Sequence, residues 1–146
     1  MQIPTHGTTL SAPAHAHSPS VGLARTHVVV ARIVLAGVFV QVFFAGLGIF
    51  TSVGFFPHVI LGTLLVASSF SLPVIAGVGH LGQSQIRRSW LLAGLMILQG
   101  LLIDAGRLGL VYVSALHPVN ALVVLFVTLS LADVTGFFAR WGVMRS

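Results

Sequence analysis

The chain has no cysteine, no lysine and no glutamate, and its only acids are Asp104 and Asp133. Without cysteine there are no disulfides and no thiolate metal sites, and redox chemistry gives no hint of the compartment. Charged residues make up 6% of the 146 positions, where soluble domains carry about a quarter. A chain so poor in charge cannot clothe itself in a hydrated surface. What fills the sequence instead is apolar: 56% of it is hydrophobic and the mean hydropathy is +1.04. This composition predicts an all-α integral membrane protein whose first partner is the lipid bilayer. All seven basic residues are arginines. The resulting pI near 11.9 would suggest nucleic acid in a soluble protein. Here the arginines flank apolar runs, where the positive-inside rule accounts for them, and no nucleic-acid partner is expected.

Residues 1–24 are rich in Thr, Ser, Pro, Ala and His and lack periodicity, so they read as a disordered tail that cannot bury enough apolar surface to offset chain entropy. They lack the basic start, compact apolar run and cleavage site of a signal peptide. His6, His15 and His17 read as solvated tail residues. Residues 25–146 divide into four apolar runs, with helices expected over about 28–52, 57–78, 89–110 and 118–138. Each is long enough to cross a hydrocarbon core of about 30 Å. An up-down-up-down four-helix bundle is the expected fold. Pro57 and Pro118 fit the first turns of helices two and four, where a missing N–H has no helical partner to lose. Gly77 to Ser84 reads as a polar loop closed by Arg87 and Arg88, and Pro73 is expected to kink the helix before it. Asp104 and Arg107, three apart, can pair on one helix face. Asp133 falls in the inner half of helix four, two turns from Arg140 on the same face.

Arg25, Arg32, Arg87, Arg88, Arg140 and Arg145 fall at one end of the four runs and only Arg107 at the other, so both termini are expected in the cytoplasm of a bacterial-type inner membrane. This puts His58 and His117 at one level near the outer face, each at the start of its helix. Helices two and four are diagonal neighbours in such a bundle, and the two histidines should face each other. The chain also repeats itself: Gln41 precedes His58 by 17 residues and Gln99 precedes His117 by 18. Gly62 and Ala121 lie four residues after the histidines and should leave a small-residue patch beside each imidazole. Each histidine alone reads equally well as an interfacial or capping residue. As a pair they suit haem, whose iron takes axial ligands from opposite faces, while Arg107 is a candidate partner for its anionic propionates. Zinc would need three or four converging ligands.

The unit of four helices, the stretches Val40-Gln41 to Gly46 and Leu98-Gln99-Gly100, and the histidines of Pro57-His58-Val-Ile-Leu-Gly62 and Leu116-His117-Pro-Val-Asn-Ala121 resemble one half of the haem A synthase family. That family is built from two similar four-helix halves, each with a histidine pair at the outer ends of its second and fourth helices. The resemblance covers about residues 28 to 140. It implies that His58 and His117 are the axial ligands of one haem b. The half that oxidises haem in that family carries a glutamate about one turn before its first histidine, where this chain has Gly54, Phe55, Phe56 and Pro57. The likeness is therefore to the cofactor-holding half, and no haem hydroxylation is expected.

The expected function is that of a small membrane b-type cytochrome, transferring electrons between a quinone or a larger redox membrane complex and an outer acceptor. The alternative is a non-catalytic accessory subunit of a respiratory or photosynthetic complex, with glycine-rich faces serving helix association, including association with a second copy. A second haem between His27 and His80 is not expected, because neither lies inside a clear helical pattern with a small residue fixed beside it.

Overall fold

The computed structural model describes residues 18–133, and within them every regular element is helical. The order is α1 (Val21–Phe50), α2 (Phe56–Val78), α3 (Gln83–Arg107), a single-turn α4 (Val111–Ser114) and α5 (His117–Leu131). Four segments are long and apolar enough to cross a membrane: Val21–Phe50, Phe56–Val78, Gln83–Arg107 and Val111–Leu131. The protein is an integral membrane protein built as a four-helix bundle. α1 packs against α2 and α5, and α3 packs against the same two from the other side.

Local chemistry explains most of the helix ends. α1 begins at Val21 rather than near Val28 because Ser20 caps it, accepting from Leu23 N at 3.4 Å. Ser20 N in turn donates to Gly79 O at 3.0 Å, which ties the start of α1 to the end of α2. Val21 to Ala24 thus belong to the bundle, while the tail histidines and residues 1–17 lie outside the described residues. α3 begins at Gln83, immediately after Gly82 at φ 89°, so Arg87 and Arg88 occupy its early turns instead of closing a loop. Gly77 lies inside α2, which runs on through Pro73. At the opposite end α3 stops at Arg107, and Gly109 at φ 86° turns the chain into α4. Left-handed backbone of this kind favours glycine.

α5 closes at Leu131. Asp133, at φ 49°, stands in the turn after it and not in the inner half of a helix. Arg32 Nε reaches across from α1 to donate to Ala132 O at 3.1 Å, which satisfies a carbonyl at the C-terminal end of α5. Arg140, Trp141 and Arg145, and with them any Asp133–Arg140 pairing, lie outside the described residues.

The buried residues fall on one stripe per helix at spacings of three and four: Ala31, Val34 and Val38 on α1, Leu65, Ser69 and Leu72 on α2, Leu92 and Met96 on α3, Val124, Thr128 and Leu131 on α5. Gly37 allows the closest helix contact, since a Cβ there would stand 2.5 Å from Leu65 Cδ2. The outer faces carry Phe39, Phe43, Val74, Trp90 and Phe126, all exposed. That is the pattern for a bundle solvated by lipid, where helices associate through close packing and not through escape from water.

The stripes do not run the full length of the bundle. On α1 no residue after Val38 is buried, and on α2 none before Leu65; towards the same end only Leu102 of α3 and Asn120 of α5 are buried. The tight core therefore occupies the end that holds the start of α1, and the other end is open around His58 and His117. Leu72→Ala should lower stability by about 2–5 kcal/mol through the cavity it leaves. The lipid-facing Leu64→Ala should stay within about 0.5 kcal/mol. Unfolding midpoints in mixed detergent micelles measure both.

Candidate functional site

The loosely packed end of the bundle holds two histidines in matched settings. Pro57 and Pro118 stand in the first turns of α2 and α5, with His58 the third residue of α2 and His117 the first of α5. Each ring reaches the preceding long helix. His58 Nδ1 lies 3.0 Å from Gln41 O, and His117 Nδ1 lies 3.1 Å from Gln99 O. A backbone carbonyl only accepts, so both Nδ1 atoms carry a proton, and in the neutral ring Nε2 keeps the lone pair. The two ring centres are 6.4 Å apart. The rings are neighbours, tilted by 55°, and the glutamine–histidine repeat takes one form in both halves: two helical hairpins, each stitched by an imidazole donating to the backbone of a glutamine.

The side chains of the two glutamines break this symmetry. Gln99 Nε2 donates to His117 O at 3.0 Å and stands 3.2 Å from His117 Nε2. An amide N–H meeting an imidazole lone pair fits the Nδ1–H tautomer already required. Asn120 orients the amide, since its Nδ2 donates to Gln99 Oε1 and, at 2.9 Å, to Leu95 O. In the first half the position matching Asn120 is Leu61, and Gln41 Oε1 is buried with no hydrogen-bond partner among the described residues. The Gln41 amide lies over Gly62, with Nε2 2.8 Å from where a Cβ would be. The space that Gly62 opens beside His58 is therefore filled by Gln41. Ala121 is half-buried in the turn after His117. Phe55 meets the His58 ring edge-on, at 6.3 Å between centres.

Other sequence candidates are placed elsewhere. Arg107 pairs with Asp104 at 2.8 Å, both side chains more than half exposed, so its cation is balanced within its own helix. His27 lies inside α1 and is 1% exposed, contrary to the expectation of a histidine outside the helical pattern. Its Nε2 is 2.9 Å from the hydroxyl of the fully buried Ser89. His80 is exposed, at φ 51° in the turn after α2. Among the described residues no three of His, Cys, Asp or Glu come together as a metal-holding group.

Sequence reasoning missed two participants, Asn120 and Ser89. Asn120 had a readable signal: a lone amide three residues after His117 in an otherwise apolar helix, where an unpartnered polar group is expensive. Ser89 had none, because membrane helices absorb a serine hydroxyl on their own backbone.

Residues 41–106 match a family of unknown function (DUF6220). The matched stretch begins on Gln41, includes His58 and Gln99, and ends before His117. No functionally characterised protein and no solved structure matches the chain.

The His27–Ser89 contact has the character of a buried structural pair. Ser89→Ala should cost about 1–3 kcal/mol by leaving His27 Nε2 unsatisfied, and the double substitution His27→Leu with Ser89→Ala should recover part of that loss. Unfolding midpoints of the three proteins check the order.

Proposed function

We propose that the protein is a small membrane cytochrome that holds one haem b between His58 and His117 and uses it for electron transfer. The observation that carries this reading is the pair of neighbouring imidazoles, both in the Nδ1–H tautomer, with ring centres 6.4 Å apart. A metal bonded to one nitrogen of each of two opposed imidazoles, at about 2 Å per bond, separates the ring centres by about 6 Å. The hydrogen bond from each Nδ1 to a backbone carbonyl is the outer support that metal-bound histidines ordinarily have.

Two imidazoles with no third ionisable ligand suit a metal that brings its remaining ligands with it, as haem iron does. The loose packing around them agrees with a site completed by a flat apolar group. Haem supplies a one-electron couple. The chain's residues hold it from two sides, fix the ligand tautomers and exclude a third ligand, which favours electron transfer over chemistry at the iron.

Gln41 is the residue that must move for a planar group to lie against Gly62, and its lack of a partner makes that inexpensive. The resemblance to the cofactor-holding half of the haem A synthase family supports the same reading. The excess of Arg25, Arg32, Arg87 and Arg88 at the far end supports a cytoplasmic position for that end and an outer position for the histidines. A quinone or a redox complex in the same membrane is the corresponding electron partner.

Purified protein should show a Soret band and a reduced-minus-oxidised α-band typical of haem b. His58→Ala and His117→Ala should each abolish the bis-histidine spectrum, and survival of that spectrum in either variant would remove the ligand assignment.

A further inference from the structure

We infer that Gln99, oriented by Asn120, is a positioning residue that masks the coordinating nitrogen of His117, so that the two histidines become available to a metal in order, His58 first and His117 second. The inference rests on the bis-histidine reading above and goes beyond it by making the two ligand positions unequal.

Three observations carry it. The two halves share one contact, each histidine donating from Nδ1 to its glutamine's carbonyl. Only in the second half does the glutamine side chain also return to the ring, with Gln99 Nε2 at 3.2 Å from His117 Nε2. Only there is the amide locked from behind, because Asn120 donates to its Oε1, whereas Leu61 leaves Gln41 Oε1 buried and without a partner. Among the described residues His58 bonds through Nδ1 to Gln41 O, and no bond from the Gln41 amide reaches its ring.

A lone pair that already accepts a hydrogen bond cannot bind a metal until the donor leaves. For His117 this means turning the Gln99 amide away from a ring nitrogen, a backbone carbonyl and Asn120 together. Hydrogen bonds of this kind are modest singly and cooperative in a network. The resulting bias against the second ligand is about fivefold to tenfold. Asn120 also keeps the amide the right way round, since rotating it by half a turn would oppose two donors at Asn120 and two acceptors at His117.

The test uses the full chain in lipid nanodiscs, as wild type, Gln99→Leu and Asn120→Leu, the last of which copies the arrangement around Leu61. In the haem-free proteins, nitrogen NMR of labelled histidine should show the His117 Nε2 resonance moving in both variants while that of His58 stays; an unmoved His117 resonance in Gln99→Leu overturns the masking. In the haem-loaded, reduced proteins carbon monoxide reports the open axial position, and its apparent affinity should fall about fivefold to tenfold in both variants as His117 binds more readily. An unchanged or higher carbon monoxide affinity in Gln99→Leu overturns the ordered ligation. Absence of any haem band from wild type would instead overturn the bis-histidine reading, a result separable from the others because the NMR comparison needs no haem.

Discussion

Everything at the histidine end of this bundle depends on one interaction used twice: an imidazole N–H at a helix start donating to a main-chain carbonyl on the helix before it. At a half-buried position in a membrane bundle an imidazole has little access to water, so a hydrogen bond within the protein is favoured. A helical carbonyl offers a second lone pair for this purpose. Once Nδ1 is engaged, the tautomer, the ring orientation and the identity of the remaining lone pair are all settled. The same bonds join α1 to α2 and α3 to α5, so the stitch that closes each hairpin also sets the chemistry available at its tip.

Much of this was legible in the residues, for reasons that can be named. The scarcity of charge left membrane helices as the only economical fold, and Pro57 and Pro118 marked where two of them begin. The arginine count and the up-down order predicted that the rings share a level, and the paired spacings from glutamine to histidine marked a two-helix unit used twice. The helix ends were less legible. Ser20 capped α1 ahead of its apolar run, Gly82 started α3 before the arginines that looked like a boundary, and Gly109 produced a single-turn helix that periodicity cannot reveal. The asymmetry of the site was beyond reach, because the direction of the Gln99 amide is decided by Asn120 across a helix interface. Nor did spacing show that the gap at Gly62 is filled by Gln41, since that depends on a rotamer.

The contrast between the halves separates two kinds of requirement. Features common to both, the carbonyl stitch and the proline before or after the histidine, position the rings. Features of one half alone, Asn120 and the returning Gln99 amide, set how available a ring is once positioned. A scaffold of this kind holds geometry nearly constant while availability is adjusted by single side chains such as Leu61 and Asn120. The buried, unpartnered oxygen of Gln41 belongs to the second category. Among the described residues it makes no hydrogen bond that closes its hairpin.

The uneven distribution of the core along the bundle makes the molecule behave like a pair of forceps. Ala31, Val34, Leu72, Leu92 and Leu131 form the closed joint, and the uncushioned ends of α1, α2, α3 and α5 are the arms, with one imidazole on each opposing tip. Close-packed interiors transmit displacement with little loss, so a small change of helix angle at the joint grows with distance along the arms. A change of volume around Leu72, far from either histidine, is therefore expected to alter the gap between the two rings.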